Sequence, residues 1–298
     1  MTQATTNDTG EQLIGKVNTA LALAQPRLRV MSYNVAQLTN NNPSEYDVKD
    51  SNGYYINGRI NTQATYNERN AAWRKLMNGI SPDVLVSIED NDVFATIDGV
   101  KKYSVETIFS QMPYRIADGT YYSAKALYNR FGEPTDVVKK AYAANGNNRY
   151  ITATIKVAGV DVKIAIIHLD ISPNDGTQAT ITEKRRQEML ELINNFANAP
   201  YAIIAGDFNI LSADEYELFT QYGYKCANHG FMGDLTTYTQ TLVVPTGSRA
   251  LDNIIVKGFD ISNIHVEDAA IYRDINGVNT RYPLSDHNPI WCDLLMKL

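Results

Sequence analysis

Two stretches of the chain decide the fold: ITATIKVAGVDVKIAIIH at residues 151–168 and YAIIAGDFN at residues 201–209. The first contains two apolar runs separated by Ala158 and Gly159, which predicts two strands joined by a tight hairpin. Helical periodicity over Ile181–Phe196 lies between the two stretches, and the second stretch predicts another strand. Strands joined both by hairpins and through helices are typical of a mixed sheet covered by helices, not of a doubly wound parallel sheet.

The same signals recur on both sides of this region. Further strands are predicted at Leu28–Val35, Val84–Ile88, Ile254–Val256 and Pro289–Leu295, and further helices at Glu68–Met77 and Asp214–Tyr222. Two such halves predict a four-layer α/β/β/α sandwich, in which two mixed β-sheets pack face to face and the helices lie outside. Segments 37–66 and 227–249 are rich in Asn, Gly, Thr and Tyr, and we predict long loops there.

The first 26 residues are predicted to form an N-terminal extension. A helical pattern covers Glu11–Ala24 and ends at Pro26, where the first strand candidate begins. We therefore expect residues 1–26 to precede a single main domain at residues 27–298. The chain start has neither the basic residues nor the apolar core of a signal peptide, and no run is long enough to predict a transmembrane segment. Because a signal can be removed, the compartment stays open.

Composition limits the classes of partner. A net charge of −6 and a pI near 5.3 exclude an overall positive field that would attract nucleic acid or an anionic membrane. Any contact with a polyanion must therefore be local or assisted by bound metal. Cys226 and Cys292 lie far apart and lack the spacing of a thiolate metal site, although they can be paired or free. Nothing in the sequence indicates an obligate protein partner.

Polar residues follow or precede the apolar strands at their ends. Taken singly, Asn34 can be a turn former, the segment GDFN an Asx turn, and His168 a hydrogen-bonded core histidine. Together they form the donor set of a hydrolase that uses a hard divalent cation, because carboxylates, carboxamides and histidines meet at strand edges. The set is Asn34, Glu89, His168, Asp207, Asn209, Asp252, Asp286 and His287.

These residues stand in an ordered series of motifs: YNV, IED, TYYSAKALYNR, NRYIT, IIHLD, GDFN, LDNIIV and SDHNP. The series resembles the metal-dependent endonuclease/exonuclease/phosphatase superfamily, which also contains sphingomyelinases and inositol polyphosphate phosphatases. The resemblance extends from Asn34 to the C-terminus, and GDFN and SDHNP are its most specific parts. It implies a hydrolase of phosphate esters.

The resemblance also implies a metal site. Glu89 would be the principal carboxylate ligand of Mg2+, with Asn34 and Asp286 completing or supporting the ligand shell. Mg2+ prefers oxygen ligands and keeps several of its waters, so few protein ligands are needed. Mn2+ and Ca2+ are the alternatives.

For catalysis, the resemblance implies that Asp207 and Asn209 position the attacking water and the scissile phosphate. Asp252 would hydrogen-bond His287 and fix its orientation, and His287 would be the general base, because an Asp–His pair raises imidazole basicity. The reaction would be in-line attack by activated water, without a covalent enzyme intermediate.

Three further residues would contact the phosphate. His168 would bind phosphoryl oxygens or assist the leaving oxygen, and Tyr122 and Arg149 match positions that hold the phosphate in the family. A planar guanidinium can meet two phosphate oxygens at once. The alternative for Arg149 is a solvated charge after a turn, and Tyr121 competes with Tyr122 because side chains alternate along a strand.

The sequence departs from the family pattern at defined places. Ile88 stands where the family usually has Gln before the metal-binding Glu, and Asp90 follows that Glu. Ala36 stands where abasic-site endonucleases carry an acidic residue, and the strand-end His168 is kept. The last two observations favour the branch that contains deoxyribonuclease-like enzymes, sphingomyelinases and phosphatases.

Within that branch, we expect a phosphodiester hydrolase of the deoxyribonuclease type, with nucleic acid or a nucleotide as substrate. The alternatives are a phosphomonoesterase or phospholipid phosphodiesterase, and a catalytically inactive binding module. The cations available to flanking phosphates, at least half of which any solvated surface would carry, are Arg59, Arg69, Lys101, Lys102, Lys125, Arg130, Lys139, Lys140 and Arg249.

Overall fold

The computed structural model describes residues 9–12, 14, 16, 25–35, 63–90, 95–97, 100–102, 112–118, 124–146, 148–170, 178–210, 212, 214–228, 250–285 and 287–297. The strands are β1 (Arg27–Asn34), β2 (Val84–Ile88), β3 (Ala95–Ile97), β4 (Val100–Lys102), β5 (Tyr114–Asp118), β6 (Lys125–Asn129), β7 (Thr135–Ala141), β8 (Arg149–Val157), β9 (Val160–His168), β10 (Ala202–Asp207), β11 (Lys225–Cys226), β12 (Asp252–Lys257), β13 (Phe259–Val266), β14 (Ala270–Ile275), β15 (Val278–Pro283) and β16 (Ile290–Met296). The helices are α1 (Gln63–Ile80), α2 (Gln178–Asn195) and α3 (Asp214–Gln221).

Two six-stranded sheets form the body of the molecule. The first sheet has the order β13-β16-β1-β2-β6-β5, and the second has the order β11-β12-β10-β9-β8-β7. In each sheet the two central strands are parallel, β1 with β2 and β9 with β10, and all other neighbours are antiparallel. Helix α1 connects the first parallel pair and α2 connects the second. The prediction of two mixed sheets is therefore confirmed.

Side-chain alternation along the strands produces the four layers. Leu28 and Val30 of β1 belong to the core between the two sheets, whereas Met31 and Tyr33 of the same strand pack under α1 with Trp73. A third apolar cluster lies between the outer face of the second sheet and helices α2 and α3. The order of layers is thus helix, sheet, sheet, helix, as the sequence predicted.

The predicted helices exist with shifted bounds. Helix α1 begins five residues before the predicted Glu68, so residues 63–66 are helical and the predicted loop at 37–66 is wrong at that end. The hairpin at Ala158 and Gly159 is confirmed, since β8 and β9 pair directly across it. Several further strands were not predicted, and some of them lack a long apolar run. Strand β7, for example, is an exposed edge strand with the sequence TDVVKKA.

At the N-terminus, residues 10–12, 14 and 16 have helical backbone. Residues 13, 15 and 17–24 of the predicted helix at Glu11–Ala24 lie outside the described part of the chain, so that helix stays a prediction. The predicted loop at 227–249 lies outside it from residue 229 onward. The division of the chain at residue 26 stays a prediction. Among the described helices, none is both long and apolar enough to cross a membrane.

Candidate active site

The predicted site residues meet because of the strand topology. Asn34 ends β1 and Glu89 follows β2, so both lie at the carboxyl ends of the first parallel pair. His168 and Asp207 end β9 and β10, the parallel pair of the second sheet, and face each other in register. Because both pairs end on the same side, four residues that are distant in sequence share one cleft between the sheets.

The segment GDFN turns sharply at the end of β10. Gly206 has φ +144°, and a Cβ at this position would lie 1.9 Å from the carbonyl oxygen of Ile167, so the approach of β9 and β10 requires glycine. The Asp207 Oδ1 atom accepts a hydrogen bond from the Asn209 backbone N–H at 2.9 Å, which forms an Asx turn. Asn209 has φ +49°, and its side-chain amide donates to the Leu169 carbonyl at 3.0 Å. The turn at the end of β10 therefore also positions Asp207 and Asn209 in the cleft.

Glu89 reaches the cleft through an unusual backbone conformation. In β2, Val86 and Ile88 point into the core between the sheets, so regular alternation would point Glu89 outward, toward the helix layer. Its φ of +56° breaks the alternation, and its carboxylate lies 3.2 Å from the Asn34 side-chain amide. A non-glycine residue in this region costs on the order of 1–3 kcal/mol and is typical of functional sites.

Asp90 anchors this turn. It is buried, its backbone N–H donates to the Ala124 carbonyl at 3.3 Å, and its Oδ2 atom accepts a hydrogen bond from the Tyr128 hydroxyl at 2.8 Å. Burial and then the Asp90 carboxylate raise the pKa of Tyr128 well above its ordinary value, so the hydroxyl remains a donor. The Arg115 Nε in turn donates to the Tyr128 oxygen at 3.1 Å. Asp90, at which the sequence departs from the family pattern, therefore has a structural role beside Glu89.

Asp207 lies at the centre of the cluster. Its Oδ2 atom accepts a hydrogen bond from the Asn34 amide at 3.0 Å and lies 3.6 Å from Nε2 of His168 and 3.7 Å from Nε2 of His287. The His168 Nε2 atom is also 4.0 Å from the Glu89 carboxylate. The Asn34 amide thus bridges two carboxylates, and both histidines face the same point.

Asp252 and His287 form a buried pair. The Nδ1–H of His287 donates to Oδ2 of Asp252 over 2.7 Å, and both side chains are almost fully enclosed. With the Nδ1 proton in this bond, the neutral ring has its lone pair on Nε2, the nitrogen that faces Asp207. This is the tautomer that a general base needs. Ser285 holds the segment before His287, since its hydroxyl donates to the Asn34 carbonyl at 2.8 Å.

The charges of the cluster suit a cation. Burial, which disfavours the charged carboxylate, raises the pKa of Asp207 to about 7, and the negative Asp252 adds to this rise. Carboxylate and amide oxygens are the donors that hard divalent ions prefer. Two overlapping donor sets are present. One is Glu89, Asn34 and Asp207, and the other is Asp207, Asp252 and His287, whose donor atoms lie within 4.8 Å of one another.

The remaining predicted residues are less central. Arg149 begins β8, beside the end of β9, but its Nε donates to Asp118 of the first sheet at 3.1 Å, and it is partly exposed. The Arg149 guanidinium therefore has a carboxylate partner and is not a purely solvated charge, while its contact with a phosphate stays a prediction. Tyr122 and Asp286 lie outside the described residues.

Lys125 lies near Glu89 beside the candidate site, at a location that sequence reasoning missed. It was grouped with the cations available at the surface, but it is 1% exposed and points into the space between the sheets, on the side of Leu127. Burial lowers the pKa of Lys125 to about 8, against the opposing effect of Asp118, Glu188 and Glu89. Its place in the TYYSAKALYNR motif was a sequence signal for the site, but not for the burial of its side chain.

The role of Asp90 can be tested by removing one hydroxyl. We expect Tyr128→Phe to weaken Mg2+ binding about tenfold, since groups that orient a metal ligand typically contribute this much. Stability should fall by roughly 1.5–3 kcal/mol, because a buried carboxylate loses a donor. Calorimetric titration with Mg2+ and thermal unfolding measure the two effects.

Tyr142→Phe is the matched control for this change. Tyr142 is equally buried, but its hydroxyl has no hydrogen-bond partner in the described structure and it packs on the second sheet. This control should bind Mg2+ as the wild type does. Equal Mg2+ affinity in Tyr128→Phe and the wild type would show that Asp90 does not support Glu89.

Comparison with known proteins identifies the fold. No protein-family model matches the chain, and no curated protein matches it in sequence. Solved structures do match. An endonuclease/exonuclease/phosphatase family protein from Bacteroides thetaiotaomicron is 15% identical with a TM-score of 0.63, over 92% of this chain and 100% of that one.

Two further structures give the same result. The endonuclease/exonuclease/phosphatase from Beutenbergia cavernae is 16% identical with a TM-score of 0.59, over 91% of this chain and 72% of that one. TDP2 from D. rerio, solved with a single-strand DNA product, is 14% identical with a TM-score of 0.58, over 90% of this chain and 98% of that one. The resemblance seen in the motifs is therefore confirmed at the level of the fold.

Proposed function

We propose that this chain, whose fold is that of the endonuclease/exonuclease/phosphatase superfamily, is a metal-dependent phosphoesterase that cleaves phosphodiester bonds in nucleic acid. One observation carries the proposal: Glu89, Asn34 and Asp207 converge within hydrogen-bond distance, directly beside the Asp252–His287 pair. A hard-cation donor set next to an oriented imidazole supports hydrolysis of a phosphate ester.

Glu89 and Asn34, with Asp286 in a supporting position, would hold the ion, for which Mg2+ is the first candidate and Mn2+ and Ca2+ the alternatives. When bound, a divalent ion supplies positive charge that stabilises the charge developing on phosphoryl oxygens. The alternative donor set of Asp207, Asp252 and His287 contains the Asp–His pair to which we assign the base and its orienting carboxylate.

The other side chains of the cleft would activate the water and bind the phosphate. His287 would remove a proton from the attacking water through Nε2, while Asp252 holds the ring and stabilises the imidazolium that forms. Asp207 and Asn209 would orient that water and the phosphate. His168 faces Asp207 from the opposite side and would donate a hydrogen bond to a phosphoryl oxygen or to the leaving oxygen. Tyr122 and Arg149 would hold the phosphate.

Nucleic acid is the proposed substrate class because a structure of the same fold, TDP2 from D. rerio, was solved with single-strand DNA product. The surface cations do not support this choice of substrate class. Among the described ones, Arg130 is bonded to Asp83, Lys139 to the Ala117 carbonyl and Lys140 to Glu191. Binding of nucleic acid would therefore depend on the cleft itself and fall with salt less steeply than for a strongly basic protein.

The proposal is tested by offering supercoiled plasmid DNA, a single-stranded oligonucleotide, a phosphodiester chromogen and a phosphomonoester chromogen to the same preparation, with Mg2+ and with a chelator. We expect cleavage of the nucleic acids that disappears with the chelator and returns when Mg2+ is added in excess. Product lengths on a gel distinguish internal cutting from cutting at an end.

The other outcomes are equally informative. Cleavage of the monoester alone would make the protein a phosphomonoesterase, and the same assay on lipid vesicles would detect a phospholipid phosphodiesterase. If no phosphate ester is hydrolysed under any metal condition, the protein is a binding module and the proposal fails.

A further inference from the structure

The segment His168–Asp170, which follows β9 and carries one of the two site histidines, is held by hydrogen bonds on nearly every backbone group. The His168 carbonyl accepts from the Asn148 side-chain amide at 2.7 Å, and the Asp170 N–H donates to Glu188 Oε2 at 3.1 Å. The Leu169 N–H donates to the Asp207 carbonyl at 2.9 Å, and the Leu169 carbonyl accepts from the Asn209 amide. The segment is therefore fixed by residues next to β8 and β10 of the second sheet and by α2.

Glu188 of α2 joins the two outer parts of this network. Its side chain is fully buried, its Oε2 atom accepts from Asp170, and its Oε1 atom accepts from the Asn148 amide at 3.0 Å. The same Asn148 amide nitrogen donates to the His168 carbonyl, so Asn148 bridges Glu188 and His168. The Asn148 amide and the Asp170 N–H are both donors, and a carboxylate accepts from both, whereas a carboxamide has only one acceptor oxygen.

We propose that Glu188 is a positioning residue of the active site, which acts through Asn148 and the Asp170 backbone to fix where the His168 imidazole meets the substrate phosphate. This inference rests on the proposed function for its effect on turnover. Glu188 would thus affect catalysis although the His168–Asp170 segment separates its side chain from the cleft.

Packing alone does not account for a carboxylate at this place. Burying a carboxylate is unfavourable unless its hydrogen bonds compensate, and burial raises the pKa of Glu188 to about 7 while the bonds from Asn148 and Asp170 lower it. Helix α2 is already attached by apolar residues such as Met189 and Leu192, and by Arg185, which forms two hydrogen bonds of 2.9 Å with Glu215 of α3. An apolar residue at 188 would attach the helix equally well but would leave the segment unheld.

Glu188→Gln is the direct test because it keeps the shape of the side chain. It replaces one acceptor oxygen with an NH2 group, which would then face the donor of Asn148 or of Asp170. Glu191→Gln is the matched control. Glu191 lies one turn further along α2 and also accepts from a backbone N–H, that of Ala143, but it contacts no group of the His168 segment. Each variant is compared with the wild type in kcat and KM on the cleaved substrate, in the NMR shift of the His168 Hε1 proton and in melting temperature.

We expect Glu188→Gln to lower kcat about tenfold with little change in KM and to shift the His168 resonance, because small misplacement of a catalytic group reduces rate more than binding. Glu191→Gln should leave kcat and the His168 resonance unchanged. If Glu188→Gln matches the wild type in both, the inference is overturned.

A second variant covers the case in which Glu188→Gln does not fold. Asn148→Ala removes the bridge from the other side, at a partly exposed position, and should give the same fall in kcat and the same shift of His168. Unchanged values there would also overturn the inference. If the wild type hydrolyses nothing, the proposed function fails by itself, while the His168 shift still reports whether Glu188 and Asn148 position the ring.

Discussion

Glu89→Gln is expected to remove metal-dependent hydrolysis, with a fall in kcat of roughly 10³-fold, since a catalytic metal contributes several kcal/mol and each 1.36 kcal/mol is a factor of ten. The substitution preserves the shape of the side chain and still offers one oxygen to the Asn34 amide, which lies 3.2 Å away. It removes the negative charge and one of the two ligand oxygens. Calorimetric titration should then detect no Mg2+ binding at millimolar concentrations.

Glu217→Gln provides the control for this change, because Glu217 lies on the exposed side of α3 and has no place in the cleft. It should bind Mg2+ and turn over substrate as the wild type does. Unchanged Mg2+ affinity and turnover in Glu89→Gln would refute the assignment of Glu89. They would move the ion to the neighbouring cluster of Asp207, Asp252 and His287.

The convergence of the candidate site residues was predictable because it depends on local rules. Asn34, His168 and Asp207 each end an apolar strand, and a polar residue at that point has few structural reasons to be there. The antiparallel pairing of β12 with β10 places Asp252 opposite Asp207 in register, so the LDNIIV motif reaches the same edge from the other direction. The positions of these motifs at strand ends were therefore enough to predict that their residues lie close together.

The hydrogen bonds that hold the site residues in place were not predictable, because they join segments that are distant in sequence. Asp90 is explained by Tyr128, 38 residues further along the chain, and Glu188 by Asn148, 40 residues before it. Neither Tyr128 nor Glu188 differs in sequence pattern from an ordinary strand tyrosine or helix glutamate. Lys125 was misplaced for a similar reason, since a lysine in a short polar-flanked strand usually lies at the surface.

The backbone at Glu89 marks another limit of sequence reasoning. Regular alternation after Val86 and Ile88 would have placed this side chain on the helix side of the sheet, away from Asn34. Only the positive φ turns it into the cleft, and glutamate is not a residue that indicates such a conformation. The motif resemblance identified Glu89 correctly as a strand-end residue, but the reason it reaches the cleft is visible only in the structure.

His287→Ala should lower kcat by roughly 10²–10⁴-fold, the usual contribution of general acid–base catalysis, with a much smaller effect on KM. Asp252→Asn should have a loss of similar size although it keeps the shape of the pair. An asparagine can present its NH2 group to Nδ1, and the imidazole then carries its proton on Nε2, where the base needs a lone pair. Single-turnover rates of both variants, measured at saturating Mg2+, test the two losses.

The double variant decides whether the two residues act as a unit. If Asp252 acts only through His287, adding Asp252→Asn to His287→Ala should cost little more than His287→Ala alone. Asp161→Asn, an exposed change in the hairpin between β8 and β9, serves as the control and should leave the rate unchanged. Both site variants should bind Mg2+ with wild-type affinity. A loss of Mg2+ binding in Asp252→Asn would instead identify Asp252 as a metal ligand, and the buried 2.7 Å contact would then report two ligands of one ion, not a base and its orienting carboxylate.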